Sequence, residues 1–233
     1  MSVDRQKARA AAAAMQYVED GMTLGLGSGS TAEIFVRQLG ERVRDGLTVK
    51  GIPTSQATAD LAKEVGVPLV DVDHVNHIAV TVDGADEVDG HFQLIKGGGG
   101  CLLREKIIAQ ASDLMIVVID ETKLVSTLGR FPLPVEVDRF GFSITAKQIF
   151  DGLRAAGIDK PDVQLRRKGD GLDPFITDGG HYILDCACHA IPDALLVDEK
   201  LKALPGVIEH GLFINQARVV IVGEDNEARV MEL

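Results

Sequence analysis

The sequence predicts an α/β fold whose main feature is a largely parallel sheet with helices on both faces. Short apolar runs alternate with helical patterns through the first half of the chain, which is the rhythm of strand–helix–strand units. Residues 114–119 form a continuous apolar run, typical of a strand buried on both faces. Pro132 and Pro134 interrupt this rhythm and mark the start of a smaller α+β region. We predict one domain from 1–130 plus 206–233 and a second from 131–205.

The individual elements follow from hydrophobic spacing and from glycines that end helices. Residues 4–20 are alanine-rich, and Gly21 is expected to end that helix. Further strands are predicted at 22–26, 47–52, 68–72, 78–82 and 114–119, and helices at 32–43, 59–65 and 102–111. In the smaller domain we predict strands 135–138, 163–167 and 181–186 and helices 145–156 and 193–204. Strands at 206–213 and 219–222 are expected to return to the first sheet.

Composition limits the classes of partner. The 233 residues carry 24 Lys and Arg against 35 Asp and Glu, a net charge of −11, which argues against nucleic acid or an anionic membrane as the main partner. No apolar stretch approaches the roughly 20 residues of a membrane helix, and the N-terminus lacks a secretory pattern. Three cysteines, Cys101, Cys186 and Cys188, suit a reducing compartment. We therefore expect a cytoplasmic protein.

A glycine-hydroxyl loop joins the first predicted strand to its helix, with the sequence Gly25-Leu26-Gly27-Ser28-Gly29-Ser30-Thr31. Such a junction offers backbone N–H groups, hydroxyls and the positive end of a helix dipole, which together favour a phosphate group. Ser30 stands where a dinucleotide-binding loop needs its third glycine, and no Gly-Lys-Ser/Thr follows. The loop thus favours a small phosphorylated molecule over a nucleotide, with a simple tight turn as the alternative.

The stretch from Asp83 to Glu105 concentrates groups suited to acid–base chemistry. Asp83 and Asp86 follow a predicted strand, and Lys96 precedes the four glycines Gly97–Gly100 and a helix carrying Glu105. Four glycines in a row are expected where backbone approaches a ligand closely. A carboxylate base such as Glu105 could remove a proton next to a carbonyl, while Lys96 and loop amides stabilise the oxyanion. The residues alone predict this reaction class and no specific substrate.

Other patterns in the sequence have ordinary structural explanations. Cys186, Cys188 and His189 lack a second ligand pair, and alternation along a strand explains them better than a metal site. Glu87 and Asp89 are expected to lie in a solvated turn.

The whole chain resembles type A ribose-5-phosphate isomerases. The shared motifs are GLGSGSTA at 25–32, VDGADE at 82–87, IKGGGG at 95–100 with LREKI following, FPLPVEV at 131–137, and PGV and GLF between 205 and 213. The resemblance implies a Rossmann-like domain with a smaller, ferredoxin-like α+β domain in a homodimer or homotetramer. It also implies interconversion of D-ribose 5-phosphate and D-ribulose 5-phosphate through an enediolate, in the non-oxidative pentose phosphate pathway, without metal or organic cofactor.

The resemblance also implies roles for individual residues. Glu105 is implied as the base, Asp83 as the assistant in ring opening or proton movement with Asp86 beside it, and Lys96 as the partner of the oxygens that become charged. The implied substrate-binding set comprises Ser28, Gly29, Ser30, Thr31, Asp83, Gly84, Ala85, Asp86, Lys96, Gly97, Gly98, Gly99 and Lys123, with Lys7 as a further phosphate candidate. Cys101 stands where a small residue is frequent, and we expect it to be buried and inert, with activity that is sensitive to thiol reagents as the alternative.

Two functions from other classes remain open on the sequence. A sugar-phosphate-binding sensor could share the fold without catalysis, although a sensor has no need of a base and an oxyanion lysine together. A nucleotide-dependent oxidoreductase is disfavoured by the incomplete glycine pattern.

Overall fold

The predicted alternation of strands and helices is present in the computed structural model, which describes residues 3–233. The strands are β1 (Thr23–Leu26), β2 (Lys50–Pro53), β3 (Ile78–Asp83), β4 (Glu87–Val88), β5 (Leu94–Ile95), β6 (Ser112–Asp120), β7 (Leu133–Val137), β8 (Asp162–Leu165), β9 (Tyr182–Ala187), β10 (Val207–His210), β11 (Leu212–Phe213), β12 (Ala217–Gly223) and β13 (Ala228–Glu232). The helices are α1 (Val3–Ala14), α2 (Ser30–Arg44), α3 (Gln56–Val65), α4 (Leu102–Ala111), α5 (Phe142–Ala155) and α6 (Ala194–Lys202).

The chain divides into two units. The first comprises the residues up to Ala85 together with Arg104–Leu124 and Asn215–Leu233, and the second comprises Asp86–Leu103 and Val125–Ile214. The first unit contains a six-stranded sheet in the order β13-β12-β6-β3-β1-β2, in which only the β12–β13 pair is antiparallel. This is the predicted α/β fold with a mainly parallel sheet.

Side-chain alternation along β1 explains how helices cover both faces of this sheet. Leu24 and Leu26 are fully buried in a core to which α1, α2 and α3 contribute. A Cβ on Gly25, which points the other way, would lie 2.6 Å from Ile108 of α4, and Ile108 packs there with Ile52 and Ile78. The period of two along a strand thus sends one set of residues to each helical layer.

Two predictions for the first unit were wrong in extent. The first helix ends at Ala14, not at Gly21, because Met15–Tyr17 tighten into a 3₁₀ turn and Val18 is extended. Residues 68–72 do not form a strand: Leu69 makes one parallel bridge to Gly51, and a 3₁₀ turn then begins at Val72 with the Asp71 carboxylate as its cap.

The second unit contains a four-stranded antiparallel sheet in the order β10-β7-β9-β8. Along the chain its elements run strand, helix, strand, strand, helix, strand from β7 to β10, which is the ferredoxin-like arrangement. The core includes Ile149 and Leu153 of α5 and Val197 and Leu201 of α6, all fully buried. This is the predicted smaller α+β region.

A second, three-stranded sheet in this unit has the order β11-β5-β4. It gathers residues 86–103 and 206–214 into the second unit, whereas the predicted boundaries assigned both to the first domain. The expectation that 206–213 returns to the first sheet was wrong, because β10 pairs with β7 and β11 pairs with β5; β12 does return there. The division into folding domains stays a prediction.

The prediction that Glu87 and Asp89 lie in a solvated turn was wrong, because both side chains are buried. Glu87 is 1% exposed, and its carboxylate accepts the N–H groups of Gly129 and Phe131, each at 2.7 Å. Asp89 is 8% exposed and accepts the N–H groups of His91 and Gln93. Both carboxylates therefore organise backbone turns. Among residues 3–233, no helix is long and apolar enough to cross a membrane.

Candidate active site

The strand order of the first unit identifies where a ligand is expected. From β1 the chain moves outward to β2 and then returns to the other side of β1 as β3. Ligands of open parallel sheets bind beyond the carboxyl ends of the strands at such a switch point. The Gly27-Ser28-Gly29 loop follows β1, and Asp83 is the last residue of β3. The two predicted features therefore lie at the ends of neighbouring strands.

Asp83 is tied directly to the glycine-hydroxyl loop. Its side chain is fully buried, and its Oδ1 accepts the N–H groups of Ser28 at 3.1 Å and Gly84 at 2.7 Å. A Cβ on Gly27 would lie 2.2 Å from the same Oδ1, so only glycine lets the loop approach this closely. Gly84 and Ala85 follow and are partly exposed. The loop and the carboxylate form one structure.

The Ser28 hydroxyl contacts other hydroxyl groups around the loop. Its Oγ lies 2.9 Å from both Thr54 Oγ1 and Ser55 Oγ, and 3.1 Å from Thr58 Oγ1. Thr58 in turn donates to the carbonyl of Gly27 at 3.0 Å. Four hydroxyls thereby attach the loop to the start of α3. The resemblance implies that Ser28 contacts the substrate, and that role stays a prediction. In the structure its hydroxyl contacts the hydroxyls of Thr54, Ser55 and Thr58.

The start of α2 has the features of an anion site. Gly29, whose φ is +94°, precedes the helix without any side-chain cap, so the first N–H groups of the helix have no intrahelical partner. Gly29 and Ser30 are exposed, and Lys7 of α1 donates to Ser30 Oγ at 2.9 Å. Thr31 is 8% exposed. A lysine, a hydroxyl and the positive helix end therefore share one exposed position.

Lys123 lies at the carboxyl end of β6, the strand next to β3. It closes a 3₁₀ turn that the buried Asp120 caps by accepting the N–H of Thr122 at 3.1 Å. The same edge of the sheet that carries Asp83 thus also carries this partly exposed lysine.

Glu105 lies in the first turn of α4 and is only 4% exposed. Its neighbours on the helix face are Leu102, Ile108 and Ala109, all buried, while Arg104 is exposed. The carboxylate therefore lies on the inward face of the helix, where a glutamate is rare unless it is paired or functional. The positive end of the helix dipole favours its ionised form.

In the second unit, Asp86 and Lys96 are held by backbone contacts. The Asp86 N–H donates to the carbonyl of Ile95, and its Oδ2 accepts the N–H of Gly98, both at 2.8 Å. The Lys96 N–H donates to the carbonyl of Gly211 at 2.8 Å, and its Nζ lies 5.4 Å from the centre of the Phe213 ring. Lys96 is 3% exposed. The predicted oxyanion lysine is thus a buried cation over an aromatic face.

The Gly97–Gly100 segment is a turn closed by the Gly100 N–H, which donates to the Gly97 carbonyl at 2.9 Å. Gly97 and Gly100 are buried with φ of +103° and +81°, whereas Gly98 and Gly99 are exposed. The ends of the turn need glycine for backbone conformation. In its middle, the Gly98 N–H is bonded to Asp86 and both Gly98 and Gly99 are exposed, so the close approach of a ligand stays a prediction.

Arg166 contacts the glycine turn, and the sequence analysis did not predict this contact. Its Nη1 donates to the carbonyls of Gly97 at 2.9 Å and Gly98 at 3.1 Å, and its Nε donates to Asp185 at 2.8 Å. Arg166 follows β8 and lies nearly seventy positions along the chain from the loop. A charged residue at a strand end gives no sequence signal that distinguishes this role from an ordinary surface arginine.

The cysteines show no sign of metal chemistry. Burial raises the pKa of the Cys186 thiol well above its usual value and that of Cys188 to about 12, which opposes the thiolate form that metal binding needs. Within residues 3–233, no group of three His, Cys, Asp or Glu side chains is arranged to hold a metal ion. Cys101 is partly exposed, so the expectation that it is buried was wrong; its Sγ lies 3.7 Å from the Gly99 carbonyl.

Comparisons with known proteins agree on one family. Residues 50–227 match the model of ribose 5-phosphate isomerase A, also called phosphoriboisomerase A. A ribose-5-phosphate isomerase A from Maricaulis maris is 76% identical over the full length of both chains. The chain belongs to the ribose 5-phosphate isomerase A family.

Other relatives and solved structures support this membership. The ribose-5-phosphate isomerase A of Nitrobacter hamburgensis is 53% identical over the whole of this chain and 99% of its own. A D-ribose-5-phosphate isomerase in complex with phospho-erythronic acid has a TM-score of 0.93 at 38% identity, and one from Methanocaldococcus jannaschii has 0.90 at 37%, each over the full length of both chains. The chain is therefore an enzyme that interconverts ribose 5-phosphate and ribulose 5-phosphate, as predicted, and not a sensor or an oxidoreductase.

Proposed function

We propose that Glu105 is the general base of this isomerase. Its carboxylate removes the proton from C2 of the open-chain aldose, and the electron pair forms a C1–C2 double bond while the C1 oxygen becomes negatively charged. Protonation at C1 by the same carboxyl group, with transfer of the O2 proton to O1, gives the ketose. The observation that carries this role is the position of Glu105 on the inward face of α4, 4% exposed, in the first helical turn.

Asp83 is proposed to assist ring opening and the proton movement between the two sugar oxygens, with Asp86 in support. Asp83 is buried and fixed by the N–H groups of Ser28 and Gly84. A carboxylate held by two backbone donors keeps one geometry through the reaction, which proton transfer requires. Asp86 instead orients the glycine turn, because its Oδ2 accepts the Gly98 N–H.

Lys96 and the amides of Gly97–Gly99 are proposed to stabilise the charge on the enediolate oxygens. Donors that are fixed before the reaction and shielded from water stabilise developing charge most strongly. Lys96 is buried, and Gly98 and Gly99 lie exposed in the middle of a closed turn. Phospho-erythronic acid, the ligand of one similar enzyme, is a phosphorylated four-carbon acid whose planar carboxylate resembles an enediolate. The same site is proposed to bind it here.

The phosphate group of the substrate is proposed to bind at the start of α2. Gly29, Ser30 and Thr31 supply helix N–H groups and hydroxyls, and Lys7 lies 2.9 Å from Ser30 Oγ. Lys123, at the end of β6, adds a further cation, and Ser28, Gly84 and Ala85 complete the substrate-binding set. An acidic protein of net charge −11 must meet an anionic substrate with such local positive groups.

A homo-oligomer, either dimer or tetramer, is also proposed. The second unit exposes Phe140 by 91% and Ile144 by 65% near the start of α5, a concentration of apolar surface that a partner subunit would cover. Light scattering on the purified protein tests this, and a mass of one chain at micromolar concentration would contradict it.

The test of the base is Glu105→Gln, assayed with ribose 5-phosphate in the presence of a chelator. We expect kcat to fall by about 10²-fold or more because a lost general base contributes on this order, while phospho-erythronic acid still binds. Glu41→Gln, an exposed glutamate of α2, is the matched control and should retain full activity. Wild-type turnover in Glu105→Gln would remove Glu105 from this role, and loss of wild-type activity with the chelator would contradict a metal-free reaction.

A further inference from the structure

One side chain, Arg166, contacts two carbonyl groups of the glycine turn, and the Gly97 carbonyl also accepts the Gly100 N–H at 2.9 Å. Arg166 Nη1 donates to both the Gly97 and the Gly98 carbonyl, at 2.9 and 3.1 Å. On the other side of the same backbone, the Gly98 N–H donates to Asp86 Oδ2 at 2.8 Å. The peptide group between Gly97 and Gly98 is therefore held at its oxygen by Arg166 and at its nitrogen by Asp86.

The geometry of a trans peptide extends this effect to Gly99. In a planar trans peptide group the C=O and the N–H point in opposite directions. Fixing the Gly98 carbonyl toward Arg166 consequently turns the Gly99 N–H away from Arg166. Since glycine has the widest choice of backbone conformations, four glycines in a row would not keep this orientation by themselves. The Gly100 N–H and Asp86 hold the peptide group between Gly97 and Gly98, and Arg166 Nη1 is the donor at the Gly98 carbonyl.

Arg166 is itself oriented by two residues of the second unit, Asp185 and Phe175. Its Nε and Nη2 form a two-point ion pair with the carboxylate of Asp185 on β9, a geometry in which an arginine is most firmly oriented. The guanidinium carbon lies 5.8 Å from the centre of the Phe175 ring. A Cβ on Gly100 would lie 2.5 Å from that ring, so the turn packs directly against the same aromatic. Arg166 is only 14% exposed.

We propose that Arg166, oriented by Asp185, is a positioning residue that fixes the amides of the glycine turn for the enediolate oxygens. This inference rests on the proposed function of those amides. The hydrogen bonds from Arg166 to the turn are to the carbonyl oxygens of Gly97 and Gly98, so we assign it a role that acts through the turn. Its removal releases the Gly98 carbonyl, and with it the Gly99 N–H, while Asp86 and the Gly100 N–H still hold the peptide group before them. The transition state then loses stabilisation while the phosphate site in the first unit is untouched.

The kinetic test is Arg166→Met, which keeps the length of the side chain and removes its donors. We expect kcat to fall by about 10²-fold with less than about a threefold change in KM, because a loss confined to the transition state appears in kcat. Binding of phospho-erythronic acid should weaken by about tenfold or more. Arg166→Lys keeps a positive charge but not the forked donors. It should therefore regain less than about a tenth of the kcat that Arg166→Met loses.

Arg167→Met is the matched control. Arg167 is the next residue along the chain, is exposed, and donates to the carbonyl of Leu172 within its own loop. This variant should keep the wild-type kcat, KM and inhibitor affinity. An equal loss in Arg166→Met and Arg167→Met would assign the effect to the loop after β8 and overturn the proposal.

Amide hydrogen exchange separates failure of this inference from failure of the proposed function. Peptides covering residues 94–103 should exchange about tenfold faster in Arg166→Met than in the wild type, with no change in Arg167→Met. Unchanged exchange would overturn the positioning role whatever the kinetics. Faster exchange with wild-type kcat would show that the glycine amides do not stabilise the enediolate, which overturns that part of the proposed function and this inference with it.

Asp185→Asn tests the positioning role of Arg166 if Arg166→Met does not fold. It keeps the size of the side chain and leaves Arg166 in place but weakens the ion pair that orients it. We expect about a tenfold lower kcat together with faster exchange at residues 94–103. Wild-type values for both quantities in Asp185→Asn would overturn the proposal.

Discussion

Gly27→Ala tests the link between the loop after β1 and the carboxylate after β3. A Cβ at this position would lie 2.2 Å from Asp83 Oδ1 and 2.6 Å from Asp83 Cα. Ordinary contacts between non-bonded carbon atoms begin near 3.5 Å, so the backbone of the loop or of Asp83 must move by about 1 Å. The clash involves the main chain, so no rotation of a side chain relieves it.

The expected magnitudes follow from this displacement. Overpacking of a well-packed site costs about 1–3 kcal/mol, which lowers the melting temperature of a chain of this size by about 2–10 °C. A shift of about 1 Å in a group that transfers protons costs on the order of 10²-fold in kcat. Both losses should appear together in Gly27→Ala.

The assay measures ribulose 5-phosphate formation and thermal unfolding by circular dichroism. Gly84→Ala is the control for stability, since its Cβ would meet nothing closer than 3.8 Å. Gly90→Ala, whose Cβ would have no neighbour within 4 Å, is the control for activity. A Gly27→Ala enzyme with wild-type kcat and an unchanged melting temperature would refute the argument that Asp83 and the loop form one structure.

Two further predictions concern charge and phosphate binding. Burial alone would raise the pKa of Asp198, but hydrogen bonds from His210 and Lys202 outweigh it and lower the pKa to about 2, so this carboxylate stabilises the fold above about pH 4 and loses that effect as the pH falls toward 2. Urea unfolding of Asp198→Asn should show a deficit of about 1 kcal/mol at neutral pH that disappears below pH 2, and a constant deficit would contradict it. Ser30→Ala should raise KM by about 3–10-fold and leave kcat within about twofold of the wild-type value, because the proposed contact is to a phosphate group that does not react. A loss in kcat alone would contradict a contact between Ser30 and the phosphate.

The features that were predictable from sequence are those set by neighbouring residues. The helix α4 was predicted at the residues where it occurs, and α3 ends at Val65 as predicted, with Gly66 after it in a left-handed conformation. The placement of Asp83 followed from reading an apolar run as a strand whose carboxyl end meets a ligand. In each case the signal lies within about ten residues of the feature, so periodicity and turn chemistry suffice.

The pairing of the short strands β4, β5 and β11 could not be predicted from hydrophobic periodicity. Each strand has two residues, too few for any period to appear. Their pairing decides that residues 86–103 belong to the second unit. The buried Glu87 shows the same limit. Its sequence neighbourhood is acidic and reads as solvated, yet its carboxylate accepts N–H groups from residues more than forty positions away.

The residues proposed for catalysis show both kinds of information. Glu105, Asp83 and Lys96 stand in one stretch of sequence, and their roles stay predictions made from it. The glycine turn is held in part by Asp86, which stands in the same stretch. It is also held by Arg166, oriented by Asp185, and these two residues come close to the turn through the folding of the second unit. Glycine permits the turn its conformation but does not select it, so contacts from outside the four glycines have to select it. A sequence motif of this type therefore predicts the donors of a site and leaves the residues that orient them to be found in the structure.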